Sequence, residues 1–360
     1  MFIFIGLFAL LCLWNIKLKP DGDKLYMTDY MSVDKTTAIK GIFILMVFFS
    51  HFNSYVDYTS DLDLLYYDGF KEIGQRMVTL FMLYSGYGVM ESIKKKKMTY
   101  VHNIPKTRVI GTYFKFIIAV IVFLIMHFCL DGFEMTYSIK KILLAFTAWD
   151  SVGNSNWYIF AIAVCYILTF ISFELFRDKA NCIPSAIVLT VLVAAYICLF
   201  HFYELRPSRF YNTVICYVIG VYLSIFKDKF DKLFTKNDTI WSIAFSVCWI
   251  LTIALWDKSD RFYIYEICMI TFAFGTLLLT MKVSIYNKIL HWFGQHLFSV
   301  FIFQRIPMIV FKELGLADKN IYIYFILCLI VTVALAYVFD KLVDPLWKFI
   351  SMPRKKLNKA

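Results

Sequence analysis

Few side chains in this sequence are suited to acid–base chemistry, and the first to stand out are Lys40 and His51, eleven positions apart in one hydrophobic run. A neutral imidazole in a mostly dry site can take a proton from a hydroxyl and so act as a general base. The structural alternative is a His that caps a helix end and bonds a loop carbonyl. On a continuous helix, eleven residues rise about 16.5 Å and turn about 1100°, three full turns plus about 20°, so the two residues share a face. Arg76 follows, in Gly74-Gln75-Arg76-Met77. A guanidinium cannot deprotonate, so near a membrane it must find carboxylate, phosphate or carbonyl oxygens, either in a ligand or in nearby aspartates and headgroups. Ser85-Gly86-Tyr87-Gly88 places small residues where a second helix or a ligand can approach closely, and helix packing is the simpler use. Glu266 and Arg305 are opposite charges inside hydrophobic runs, and spacing leaves open whether they meet. His291 and His296 sit about 140° apart around a helix, a poor metal pair.

Other chemistries find no foothold. There is no H-E-x-x-H, no G-x-S-x-G elbow and no phosphate-binding glycine loop. The nine cysteines are scattered through hydrophobic runs without a C-x-x-C pair, which argues against a disulfide framework and a zinc site. No tightly bound cofactor is expected.

The elements that must position these residues are membrane helices. Of 360 residues, 60% are hydrophobic, and the mean hydropathy is +0.66. The apolar residues come in repeated runs near the ~20 residues that cross a ~30 Å hydrocarbon layer. Eleven runs are predicted to span: 2–16, 38–56, 72–93, 112–130, 155–176, 183–203, 209–226, 239–256, 262–281, 290–311 and 321–344. A shorter apolar stretch, 138–149, is expected to lie in the interface. The first run has no basic residue before it and no small-residue cleavage site, so it reads as an anchor rather than a signal peptide. Lys17 and Lys19 after it place the N-terminus outside, and alternation then places the C-terminus inside. The Lys94-Lys95-Lys96-Lys97 loop falls on the cytoplasmic side, and the loop with Asp57, Asp61, Asp63 and Asp68 falls outside. The net charge of +11 is explained by this loop bias, and no basic domain exists to bind nucleic acid.

Together these segments resemble the acyltransferase-3 family of polytopic bacterial membrane enzymes. The resemblance rests on Lys40 to His51, on Arg76 leading to Phe81-Met82-Leu83-Tyr84-Ser85-Gly86-Tyr87-Gly88, and on Pro105-Lys106-Thr107-Arg108 with Tyr113. It continues in Asn156-Trp157-Tyr158-Ile159 and in the stretch Phe293-Gly294-Gln295-His296-Leu297-Phe298-Ser299-Val300-Phe301-Ile302. It covers roughly 35–345, leaving 1–34 as an additional N-terminal helix and loop and 346–360 as a basic cytoplasmic tail. Two departures stand out: a second Arg beside Arg76 is absent, and Gln304-Arg305 occupies the place of a late His.

The resemblance implies an all-α enzyme with a ten-helix core. Acyl-CoA, acetyl-CoA in the simplest case, would be the cytoplasmic donor. A glycan or other envelope hydroxyl would be the acceptor outside. His51 and Arg76 are then expected to be catalytic, with Lys40, Arg108, Tyr87, Trp157 and Arg305 binding substrate. A transporter or flippase for a lipid-linked sugar would share the helix count and the basic loops, but would not require a Lys and a His eleven apart on one helix.

Overall fold

Apolar runs separated by short polar turns fold here as helices. Among the described residues the one strand-like pairing is a bridge between Lys17 and Ser284. The computed structural model describes residues 1–18, 25–71, 73–176 and 182–351. The basic cluster from Arg354 to Lys359 lies outside them, as does Lys19. In chain order the helices are α1 (Phe2–Leu13), α2 (Val33–Phe52), α3 (Asp61–Phe70), α4 (Ile73–Lys96), α5 (Met98–Leu130), α6 (Ile139–Phe146), α7 (Trp157–Glu174), α8 (Ile183–Phe202) and α9 (Ile215–Ile225). Then follow α10 (Lys227–Thr235), α11 (Asp238–Trp256), α12 (Phe262–Lys282), α13 (Lys288–Gln295), α14 (Leu297–Phe303), α15 (Arg305–Glu313), α16 (Leu316–Lys319) and α17 (Ile321–Ser351).

Six of these, α5, α7, α8, α11, α12 and α17, are long and apolar enough to cross a membrane. A seventh crossing is added if the pair Ser208–Ile225 and Lys227–Thr235, bent by 80°, counts as one. The protein is therefore an all-α, multi-pass membrane protein. Side-chain caps start several helices: the oxygens of Ser60, Ser138, Asn237 and Asn287 accept from the backbone N–H of Asp63, Lys141, Thr239 and Leu290. Helix α5 carries one π-helical turn, Pro105–Ile110, at the proline that cannot donate to the helical ladder.

Each predicted run contains helix, but two differ in form. The run 290–311 is not one rod. It breaks at His296 and Gln304 into α13, α14 and α15. Gly294 draws α13 against α2, while His296 and Ser299 are both held by Asp340 of α17, and a straight helix would not serve both anchors. The run 209–226 begins as a single 3₁₀ turn at Ser208–Phe210 and becomes α-helical only at Ile215. The acidic loop is itself partly helical, as α3.

Bare backbone contacts fix the centre of the bundle. A Cβ on Gly41 would lie 1.9 Å from the Leu290 carbonyl oxygen, and one on Gly294 would lie 1.8 Å from that of Thr37, so α2 and α13 touch at both points. Gly86 and Gly220 make the same reciprocal contact between α4 and α9, with Cβ positions 2.0 Å and 2.1 Å from the carbonyl oxygens of Tyr217 and Leu83. Close approach through small residues is how apolar helices associate where lipid removes the hydrophobic driving force. By contrast α11, with only Thr252 buried, lies at the edge against α12.

Candidate active site

Helix α2 is unbroken from Val33 to Phe52, so Lys40 and His51 are separated by about 16.5 Å along one rod. The structure sets a separate chamber at each of these residues. His51 lines a cavity of about 540 Å³, together with Arg76, Trp157, Arg209, Arg305 and the edge of Phe301. Lys40 lines another of about 660 Å³, with Tyr84, Ser85, Tyr87, Lys95, Lys96 and Arg108. The seven predicted site residues thus divide, His51, Arg76, Trp157 and Arg305 into one chamber, and Lys40, Arg108 and Tyr87 into the other.

Both chambers are cationic. Among the described residues of the Lys40 chamber, the four cations Lys40, Lys95, Lys96 and Arg108 face one carboxylate, Glu91. That carboxylate is already engaged by Lys94 at 2.7 Å and by the Ser224 hydroxyl at 2.7 Å. Lys40 and Arg108 stand close enough to repel each other. Arg108 sits on the π-helical turn of α5, where its Nε donates to the Tyr100 hydroxyl at 3.0 Å. In the His51 chamber, Lys71, Arg76, Arg209 and Arg305 face Asp260.

His51 does not cap its helix through its ring: among the described residues its buried Nδ1 has no hydrogen-bond partner. Arg305 lies within electrostatic reach of it and also reaches the Tyr55 hydroxyl. Arg76 is 6% exposed and partly committed. Its Nη2 donates to the Trp256 carbonyl at 3.2 Å and to the Ser259 hydroxyl at 2.9 Å, and its guanidinium lies 4.0 Å over the Trp256 ring. It therefore fixes the turn between α11 and α12 as one wall of the chamber.

Between the chambers stands a thin aromatic partition. The Phe301 ring lies 6.1 Å from the His51 ring and 5.6 Å from that of Tyr158. Tyr158 in turn packs 6.2 Å from Phe81. The hydroxyls of Tyr158 and Tyr166 both turn to Ser85, on the Lys40 side. The rings of Phe301 and Tyr158 thus form a continuous chain of contacts from His51 to Ser85 in the wall of the other chamber.

A family model described as an acyltransferase domain matches residues 35–341, most of the chain. The chain belongs to the acyltransferase-3 family. No curated protein and no solved structure matches it significantly. Membership supports an enzymatic role in acyl transfer at a membrane, and the match takes in every lining residue of the His51 chamber and all those of the Lys40 chamber but Met31, Ser32 and Val33, while leaving α1 outside. Within this acyltransferase, no group of three His, Cys, Asp or Glu side chains among the described residues is arranged to hold a metal ion.

Sequence reasoning passed over several residues. Arg209, His201 and Asn212 enter the His51 chamber from the turn before α9 and the end of α8. Arg209 carried one signal, a cation at the mouth of an apolar run. Asp340 carried none. It receives His296 Nδ1 at 2.6 Å and the Ser299 hydroxyl at 2.5 Å, anchoring the stretch that bears Phe301. Glu266 and Arg305 do not form an ion pair: both carboxylate oxygens of Glu266 are buried without a hydrogen-bond partner among the described residues.

Proposed function

We propose that this acyltransferase takes an acetyl or similar acyl group from cytoplasmic acyl-CoA and delivers it to a hydroxyl of an extracytoplasmic glycan or envelope molecule. The observation that carries the reading is the pair of chambers on one helix, a cation-rich one at Lys40 and one holding an unpartnered His at His51, divided by two aromatic rings. The eleven hydrophobic runs each cross the bilayer in this reading, with the N-terminus outside and the C-terminus inside. The Lys40 chamber then opens toward the cytoplasm and the His51 chamber away from it.

The donor's phosphates sit among Lys40, Lys95, Lys96 and Arg108, and its pantetheine arm follows α2 toward Phe301. Lys serves a phosphate as a point charge, and the Arg fork offers paired donors. A ring nitrogen of His51 takes the proton of the acceptor hydroxyl as its oxygen attacks the thioester carbonyl. The developing oxyanion lies in the field of the buried Arg76 guanidinium. Collapse breaks the carbon–sulfur bond, and the departing thiolate takes the proton back from the imidazolium. No tightly bound cofactor enters, because the acyl group arrives already activated. Tyr87 and Trp157 frame the two ends, the first beside the donor and the second beside the acceptor.

The test is His51→Gln, which keeps a hydrogen-bonding group but removes the base. It is expected to lower acyl transfer by about a hundredfold or more at unchanged expression. Transfer is read by mass spectrometry as acyl groups on the envelope glycans of cells carrying either protein. Normal acylation by the His51→Gln protein refutes the assignment of the base.

A further inference from the structure

The His51 chamber holds more positive charge than the transfer reaction uses. One cation is enough for a single developing oxyanion, and Arg76 supplies it. The donor's phosphates are accounted for by a separate set of cations beyond the partition. Lys71, which also lines the chamber, is paired with Asp68 at 3.0 Å, and that leaves Arg209 and Arg305. They reach the chamber from opposite directions, Arg209 from the 3₁₀ turn before α9 and Arg305 as the first residue of α15. They stand close enough to repel one another, and among the described residues the one carboxylate lining the chamber is Asp260. The Nε of Arg305 is buried without a hydrogen-bond partner among the described residues. Two guanidiniums converging on one cavity raise its energy when it is empty of anion. A neutral glycan would relieve none of that repulsion, whereas a group with two or three oxyanion oxygens would bridge both forks.

We infer that the acceptor is an anionic glycan, one bearing a phosphate or a carboxylate close to the hydroxyl that is acylated, with Arg209 and Arg305 gripping that anion and so presenting the hydroxyl to His51. The inference rests on the reading of the His51 chamber as the acceptor site, and it names the class of acceptor that fits. Arg209 and Arg305 are binding residues here, not catalytic ones.

The test measures binding, not turnover, on the full-length protein in phosphatidylcholine nanodiscs. The probes are a glycerol phosphate oligomer, a uronate oligosaccharide, a neutral dextran oligomer of similar length, and inorganic phosphate. At least one of the two anionic oligomers is expected to bind about tenfold or more tightly than dextran, with a margin that shrinks as salt rises. Which of the two binds better identifies the anion as phosphate or carboxylate. Arg209→Gln and Arg305→Gln each narrow the margin, and the double variant abolishes it while dextran affinity stays the same. Acetyl-CoA binding, measured on the same preparations, reports that the variants are folded. It also separates the two ideas: failed acetyl-CoA binding by the native protein counts against the donor reading and leaves the anion preference standing. The inference is overturned if neither anionic oligomer binds, if dextran binds as tightly as both, or if the margin survives in the double variant. Inorganic phosphate binding as tightly as the oligomers also overturns it, since that outcome describes a bare anion site.

Discussion

Replacing Lys40 by Gln separates a residue that grips the donor from one that merely anchors its helix. Lys40 is half-buried in the wall of its chamber, close enough to Arg108 for the two charges to repel. The long stem of a Lys can also snorkel toward the interface with no ligand at all. If its ammonium holds a phosphate of acyl-CoA, the contact is a charge-assisted hydrogen bond, about 1.5–3 kcal/mol on typical scales. Arg108, Lys95 and Lys96 remain after the substitution and share the same polyanion. The loss therefore falls near the low end, about tenfold in donor affinity. Donor KM should rise by about that factor, with kcat and acceptor KM little changed, because the contact is equal in ground and transition states. Lys40→Arg should recover most of it. The sharpest arm uses S-acetyl-pantetheine, which keeps the thioester and arm but lacks the nucleotide: it should bind native and Lys40→Gln protein alike. Titration of acetyl-CoA and of the truncated donor into purified protein reads both. An unchanged acetyl-CoA affinity in Lys40→Gln refutes the argument, as does an equal loss with the truncated donor.

Three further outcomes follow from the same geometry. Gly86→Ala puts a Cβ 2.0 Å from the Tyr217 carbonyl oxygen, forcing α4 and α9 apart at a cost of about 1–3 kcal/mol. Its Tm should fall, whereas Gly88→Ala, with nothing within 4 Å of its added Cβ, should leave Tm unchanged; equal Tm values in the two variants would contradict the packing assigned to Gly86. Phe301→Ala should open the partition, so proteoliposomes containing it should lose an imposed pH gradient faster than those with native protein or Phe301→Trp, and a native-like rate would show that the ring seals nothing. For sidedness, a Cys at Asp61 should react with an impermeant thiol reagent added to intact cells lacking the native cysteines, and a Cys at Lys96 should not; the reverse pattern inverts the orientation.

Local pattern revealed what depends on near neighbours. Runs of apolar residues announced the helices because a bilayer demands about twenty of them together, whatever lies elsewhere in the chain. The eleven-residue interval announced the shared face of Lys40 and His51 because α2 is a regular helix. What stayed hidden depends on distant partners. The breaks at His296 and Gln304 interrupt a run that is apolar on both sides, and they answer to Thr37 and Asp340, remote in sequence. The commitment of Arg76 to Trp256 and Ser259 crosses about half the chain, so no local window around Gly74 and Gln75 hints at it. Arg209 looked like the flank of a helix that starts six residues later than its hydrophobic run suggests, and the intervening turn is what swings it into the chamber. Ser85-Gly86-Tyr87-Gly88 carried two meanings at once: Gly86 packs α4 on α9, while Ser85, Tyr87 and Gly88 face the Lys40 chamber.

The partition gives these arrangements a common reason. A membrane protein with polar, cationic chambers at both ends of one helix risks becoming a leak, since a continuous wet path lets ions and protons follow their gradients. Phe301, Tyr158 and Phe81 line up apolar rings, and among such rings a charge would face a large desolvation penalty. A thioester and a pantetheine arm are uncharged and narrow, so they are the part of acyl-CoA that such a layer can admit. The nucleotide, with its phosphates, is the part it must refuse. In the proposed reading the rings therefore sort one molecule into two halves, holding the charged head among Lys40, Lys95, Lys96 and Arg108 while the reactive carbonyl passes toward His51. The base belongs on the far side of that layer for the same reason. The proton it accepts comes from the acceptor hydroxyl and returns to the thiolate within one catalytic cycle, so no net proton need cross. Hydrophobic constrictions in channels gate by the same exclusion of water, and in the proposed reading the exclusion keeps the bilayer tight while the acyl group changes sides.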